Sequence, residues 1–425
     1  MKKTYTICLA ANDVASVFKD FRRSFEEQGM EVISYVDRRP KSKIIERDRY
    51  NFWRTKFYPS IFTKYQYSPS WKVTKFIYYR LKNFCYDWSY RTQFNHILKR
   101  TDVFIFFYNS FLENSDDLEL IKASGKKIIF IFVGDDARWF YGMHQDFKLN
   151  NLHTYTYGDD YDYSVKGLEF RLQKIRKAEK FADFIFSKRE QSQLQLRKFS
   201  HYPMLVYSDE YDSDRMQRKH RPIVVHAPTN PLVKGTKFVL EAFEKLRSEG
   251  IEFEAKLIEN LCHMEAKQVY LDADIIIDQL YIPGGGKLST EGMALGKVVL
   301  SRMAYNTYEQ GFPISECPIV DVSPDTIYNE LKRIIVDYPK RVHLAQKGKD
   351  YVSLYLDSKK FVKELLDILD GKEPAYQFTP RFFREHYKPE SEEACQLLNK
   401  WTGLVSDEPW YKQEIESGTS NHLRF

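Results

Sequence analysis

The chain has 425 residues, 43% of them hydrophobic and 16% aromatic, so it belongs to the globular class and has the length for two or three domains. No apolar run approaches the roughly 20 residues that cross a bilayer, and the apolar part of MKKTYTICLAAND is too short for a secretory leader, so a cytoplasmic protein is expected. The net charge is a mild +6, and five cysteines (Cys8, Cys85, Cys262, Cys317, Cys395) lie far apart without C-x-x-C spacing, which argues against a disulfide framework or a zinc centre.

In chain order, TYTICLA, VASVFKDFRRSFEEQG and MEVISYV read as strand, helix and strand. Asn12 and Asp13 fall in the first strand-to-helix loop, where Asn-Asp is also an ordinary helix cap. From Lys41 to Arg100 there are 14 Lys or Arg against 3 Asp or Glu, interleaved with 17 aromatic residues, and this region reads as an insertion. Such a mixture suits the headgroup zone of an anionic membrane, where each basic residue adds about 1 kcal/mol. It equally suits an aromatic helical insertion whose lysines face solvent. Single-stranded nucleic acid also favours aromatic–basic interleaving, but no nucleic-acid motif accompanies it here, and no such partner is expected.

The runs TDVFIFFYNSFL and KKIIFIFVGDDARW suit strands buried on both faces of a parallel sheet, with DLELIKASG a helix between them. The helix YSVKGLEFRLQKIRKAEKF leads into the strand ADFIFS, and HYPMLVYSDEYDSDRMQRKHR is a polar, charged segment suited to a linker. The second half restarts the alternation with PIVVHAPTN, TKFVLEAFEKLRSEG, FEAKLIEN, MEAKQVYLD, ADIIIDQL, VVLSRM and CPIVDVS, then two helical segments to about Asp370. This pattern predicts an α/β protein with two Rossmann-like, doubly wound domains facing across a cleft, at 1–205 and 206–370, and a partly helical extension at 371–425. Ligands of such sheets sit at the carboxyl ends of the strands, which directs attention to the loops after FIFV, IVVH and IIIDQL.

The last of these loops lies in YIPGGGKLSTEGMALGK, residues 281–297. A Walker loop needs glycine six residues before its lysine and a hydroxyl residue after it; Tyr281 and Leu288 stand there instead. A dinucleotide fingerprint fails at its third glycine, which is Ser289. A strand, a glycine loop and a short helix stopped by Gly296 remain, and free N–H groups with a positive dipole end at such a helix start can hold an anion. A tight turn that binds nothing is the alternative.

Taken together, HAPTNPLVKGT (226–236), LIENLCHMEAKQVYLDADIIIDQL (257–280) and GGGKLSTEGMALGKVVLS (284–301) resemble the donor-nucleotide domain of GT-B glycosyltransferases, specifically those of glycosyltransferase family 4, bacterial surface-polysaccharide type. SGKKIIFIFVGDDAR and KAEKFADFIFS are similar, less specifically, to the acceptor-side domain. The resemblance directs Lys234 at the donor diphosphate and makes Glu291 the ribose-binding second glutamate of an E-x7-E signature. The residue rules offer alternatives: a solvated lysine starting a helix, and a carboxylate favoured by the helix dipole. The first glutamate of the signature is replaced by Pro283, which leaves the donor sugar and the activity open. Gly285, Gly286, Lys287 and Leu288 occupy the loop that would meet the phosphates, with His226 and Thr229 at the cleft edge and Asn260 and Glu265 where the base would be read. Lys287 can add charge or face solvent, and a lone histidine after a strand, as His226 is, is more often a structural hydrogen-bonder. On the acceptor side stand Asn12, Asp135, Asp136 and Arg138. Asp136 is a candidate to orient or deprotonate an acceptor hydroxyl, although an Asp–Arg pair is also an ordinary structural ion pair.

Three D-x-D triplets (Asp160-Tyr-Asp162, Asp212-Ser-Asp214, Asp272-Ala-Asp274) do not follow buried strands at a sheet edge, so no metal and no cofactor is expected. The resulting expectation is a retaining, metal-independent transferase, with Lys234 and Asp136 as catalytic candidates. It moves a sugar from a nucleotide-sugar donor to a glycan or lipid-linked acceptor in polysaccharide assembly, on the cytoplasmic face of a membrane that residues 41–100 would contact. The alternatives are a nucleotide-sugar epimerase of the same fold and a non-catalytic scaffold.

Overall fold

The structure is a computed structural model that describes residues 3–36, 52–53, 91–112, 114–211, 221–259, 261, 263–305, 313–380, 383 and 386–414. Most of the basic aromatic insertion, with the membrane contact expected of it, lies outside the described residues, as do Asn260 and the triplet at 212–214. The chain divides into two compact units: residues up to Ile131 with Phe181–Ile185, and Phe132–Lys180 with the residues from Phe186 onward.

In the first unit, β1 (Thr6–Ala11), β2 (Glu31–Val36), β3 (Phe52–Trp53), β4 (Val103–Phe107) and β5 (Lys127–Ile131) form a parallel sheet in the order β3-β2-β1-β4-β5. Helices α1 (Val17–Glu27) and α2 (Asp117–Ala123) connect strands within it. All five residues of β4 are buried, as a continuous apolar run in a parallel strand requires.

The second unit holds α3 (Phe140–Leu149), all of α4 (Val165–Phe181) but its last residue, and the last two residues of β6 (Phe184–Ser187), which pair with β7 (Phe199–His201). The sequence does not announce α3, because its buried positions Gly142, Met143, Asp146 and Phe147 include a glycine and a carboxylate. The segment read as a polar linker is partly interior. Tyr202, Leu205, Val206 and Tyr207 are at most 1% exposed, because its apolar residues precede its charges.

The second sheet contains β8 (Ile223–His226), β9 (Glu254–Leu257), β10 (Ile275–Ile277), β11 (Val298–Ser301) and β12 (Val320–Asp321), all parallel, in the order β12-β11-β10-β8-β9. One face packs Ile276, Val299 and Met293, and the other packs Ile275, Ile277, Val298 and Leu300 against Phe243, Leu331 and Ile334. The chain reverses its direction of progress across the sheet between β8 and β10. Loops diverge at that switch point and leave a crevice at the carboxyl ends.

Candidate functional site

The two loops at this switch point are built by local rules. After β8, Asn230 accepts the Leu232 and Val233 amides, Pro231 starts a one-turn helix, α5 (Pro231–Lys234), and Gly235 ends it at φ 75°. A Cβ on Gly235 would also stand 3.0 Å from that of Leu280. Helices α6 (Thr236–Ser248) and α7 (His263–Asp272) come next in the chain, and after β10, Asp278 and Gln279 lead through the glycines into α8 (Lys287–Ala294), with Gly296 at φ 66° just beyond it.

These loops meet in one cluster. Lys234 Nζ donates to Asp278 Oδ1 at 2.6 Å and to Gln279 Oε1 at 2.7 Å. Asp278 Oδ2 accepts the Gly286 amide at 2.6 Å and the Ser289 hydroxyl at 2.7 Å. Burial alone would raise the Asp278 carboxyl, but Lys234, Ser289 and the Gly286 amide hold it below its ordinary value. A Cβ at 286 would lie 2.8 Å from Asp278 Oδ2, so only glycine lets the main chain come this close. An amide, a hydroxyl and an ammonium, the donor set that would cradle a phosphate, thus converge on a carboxylate of the chain itself.

Glu291 lies on α8 with its side chain 4% exposed. Its Oε1 accepts from the Tyr211 hydroxyl at 3.1 Å and meets His263 Nε2 at 2.8 Å. Its Oε2 makes no hydrogen bond with the described residues. Burial raises this carboxyl, but His263 and the charge of Lys287 outweigh it and leave the group acidic. Lys287 reaches Leu205 O at 2.5 Å, a use that neither sequence alternative anticipated. Gly285 is buried, Leu288 packs on the core cluster of Ile276 and Met293, and Pro283 is buried.

His226 serves the domain interior. It is fully buried, Nδ1 donates to Ile277 O at 2.9 Å, and Nε2 pairs with Thr236 Oγ1 at 2.9 Å, so neither ring nitrogen is left for a ligand. Burial pushes its pKa down to about 4. Thr229 and Glu265 are exposed.

Asp136 is 1% exposed and folds back on its own turn, accepting the Val133 and Gly134 amides, and burial pushes its carboxyl up to about 6. Arg138 does not pair with it; its Nη1 donates to Tyr157 OH at 3.0 Å. Asp135 stays partly exposed, and its main-chain oxygen accepts from Arg171. In the first unit, Asn12 O accepts the Val14 amide and Asp13 Oδ1 accepts the Phe18 amide in the first turn of α1.

The structure therefore brings together Lys234, Gly286 and, one helical turn on, Glu291. It adds residues that sequence reasoning missed: Asp278, Tyr211 and His263. Asp278 had a signal, a carboxylate ending a buried strand eight residues before the glycine whose amide it takes. Tyr211 and His263 lie 80 and 28 residues from Glu291, and nothing local marks them.

No family model matches the sequence, and no curated protein matches it. Solved structures do. Sucrose-phosphate synthase from Thermosynechococcus elongatus is 11% identical with a TM-score of 0.53, over 86% of this chain and 98% of its own. Anabaena HepE in complex with UDP and glucose is 10% identical with a TM-score of 0.53, over 87% of this chain and 100% of its own. The N-terminal domain of Candida albicans trehalose-6-phosphate phosphatase is 12% identical with a TM-score of 0.53, over 86% and 96%. At these identities the likeness concerns architecture, and with its two Rossmann-like parallel sheets the chain has the GT-B fold.

Proposed function

We propose that this protein transfers a sugar from a nucleotide-sugar donor to a glycan or lipid-linked acceptor, with retention and without a metal. The observation that carries the reading is Glu291. Its Oε1 is pinned by Tyr211 and His263, while Oε2 is left without a hydrogen bond among the described residues, on the helix that follows the glycine loop. A buried carboxylate held in one rotamer, with one oxygen spare, is suited to accept the hydroxyls of a ribose. Anabaena HepE, which shares the fold, has been solved with UDP and glucose, and this supports a nucleotide-sugar donor for this chain as well.

In this reading the leaving nucleoside diphosphate gains charge as the glycosidic bond breaks, and donors fixed beforehand stabilise it. Lys234 acts there as a hydrogen-bond donor whose charge is largely balanced by Asp278. The acceptor hydroxyl attacks from the face the diphosphate leaves. Asp135, partly exposed where Asp136 is buried, is the better placed of that pair to meet an acceptor.

A second reading, a non-catalytic nucleotide binder or scaffold, is favoured by two observations: Lys234 is already paired and Pro283 replaces a carboxylate. One experiment separates the two. UDP-, GDP-, ADP- and CMP-sugars are screened for thermal stabilisation, and any hit is followed for hydrolysis or transfer. Stabilisation with turnover that Glu291→Ala abolishes supports the transferase. Stabilisation without turnover supports the second reading, and no stabilisation by any nucleotide sugar removes the donor site.

A further inference from the structure

Lys188 follows β6 and is 6% exposed. An ammonium carries three N–H donors and is costly to bury without acceptors to match. Its hydrogen bonds with described residues go to two main-chain oxygens, Gly285 O at 3.3 Å and Gly284 O at 3.5 Å, both long against a usual ~2.9 Å. Among the described residues it has no ion pair. The acid that feels its charge is Glu190, a buried group that Arg138 draws on as well, so two cations share one carboxyl. Lys234, by contrast, has Asp278 to itself at 2.6 Å.

Lys188 lines a small cavity of ≈ 40 Å³ with His201, Gly284, Gly285, Ser289 and Thr290, a few times the ~10–15 Å³ that one water needs. The two hydroxyls have already committed their protons, Ser289 to Asp278 Oδ2 and Thr290 to Met204 O. Burial and the Lys188 charge push His201 down to about 3, so its imidazole is neutral. Lys188 is therefore the source of positive charge in the cavity. Methionines 204, 293 and 303 form much of the remaining wall and keep the local dielectric low, which strengthens an electrostatic contact.

We propose that this cavity is an anion subsite and that Lys188, rather than Lys234, supplies the cation for the outer phosphate of a nucleoside diphosphate. The assignment rests on the donor reading above. A phosphate oxygen gives the ammonium a charged acceptor where it now has two stretched carbonyl contacts, and it binds beside the glycine loop whose carbonyls Lys188 already touches.

The test titrates inorganic pyrophosphate, UDP, GDP and ADP, and the matching nucleosides, into the wild-type chain and into Lys188→Arg and Lys188→Gln by calorimetry. Pyrophosphate and one diphosphate should bind, with affinity lowered at least about tenfold in Lys188→Gln and largely kept in Lys188→Arg, while the nucleoside alone binds all three chains equally. If a folded Lys188→Gln binds both as tightly as the wild type, the inference is overturned and the donor reading stands. If pyrophosphate binds through Lys188 and no nucleotide does, the subsite stands and the donor reading falls. If nothing binds the wild type, both fall. Should Lys188→Gln not fold, Met204→Glu places a carboxylate in the cavity. It should abolish pyrophosphate binding, and undiminished binding by that variant overturns the inference.

Discussion

Lys234 and Asp278 form a 2.6 Å ion pair in which the carboxylate is fully buried, so a lysine that sequence reasoning aims at an external anion is satisfied by an internal one. The pair ties the turn after β8 to the loop after β10 across the switch point of the second sheet. Lys234→Met strands a buried carboxylate and is expected to cost roughly 3–5 kcal/mol, while Lys234→Met with Asp278→Asn costs less than the two changes summed. Urea unfolding of the double-mutant cycle measures this, and a coupling near zero would mean the pair does not hold the loops. The Asp278 carboxyl sits below its ordinary value when folded, so its contribution is present above the unfolded carboxylate pKa and is lost only as pH falls through the lower folded one. The coupling should accordingly stay constant from pH 5 to about 8.

Gly286→Ala tests the same cluster from the main-chain side. The new Cβ would stand 2.8 Å from Asp278 Oδ2, so the carboxylate must shift and release the Gly286 amide and with it Lys234. A loss of about 1–3 kcal/mol is expected, as for other overpacked sites. Gly296→Ala, at a left-handed position just past α8, should cost roughly 1 kcal/mol without touching the cluster. If both variants lose the same stability and bind nucleotide alike, Asp278 does not govern the loop.

Glu291→Gln should weaken binding of a nucleoside and of its diphosphate by the same factor, about tenfold or more, because charge-assisted hydrogen bonds to the ribose are lost and nothing at the phosphates changes. Tyr211→Phe should give a smaller loss of the same kind, since it frees one side of the carboxylate without removing it. Calorimetry against nucleoside and diphosphate in parallel decides the matter. A loss confined to the diphosphate would move Glu291 away from the ribose.

Both sheets were legible because parallel strands buried on two faces leave unbroken apolar runs, such as VFIFF in the first and VVLS in the second. Lys234 and Glu291 stood out through the resemblance to glycosyltransferase family 4, while local rules left each an ordinary alternative at a helix start. The partners that decide what these two can do were not legible. Asp278 reads as the last polar letter of a strand, and Tyr211, His263 and Lys188 reach the site only through the tertiary fold. His226 shows the bland alternative realised. It ends a strand at the ligand edge, and its ring is bonded to Ile277 O and Thr236 inside the domain.

His226 also fixes a sign in the pH dependence of stability. Its Nδ1 donates to a carbonyl, so the neutral ring offers Nε2 to the Thr236 hydroxyl, and a second proton would place a charge in a buried site. The folded pKa is about 4 against 6.5 for the free group. Above pH 6.5 both states are neutral; below it the unfolded chain takes the proton first, so this group's contribution to stability falls as pH drops from about 6.5 to 4. Asp136, raised to about 6, runs the other way: the folded state holds its proton longer, and its contribution falls as pH rises from about 4 to 6. The whole-protein profile mixes the two, and the comparison must therefore be between wild type and His226→Gln. The variant is expected to be less stable at pH 7, with the gap closing by about 2 kcal/mol by pH 5. Its nucleotide affinity at pH 7.5 should match the wild type. A constant gap would show that the imidazole has the same pKa folded and unfolded, and a large loss of affinity would return His226 to the donor site.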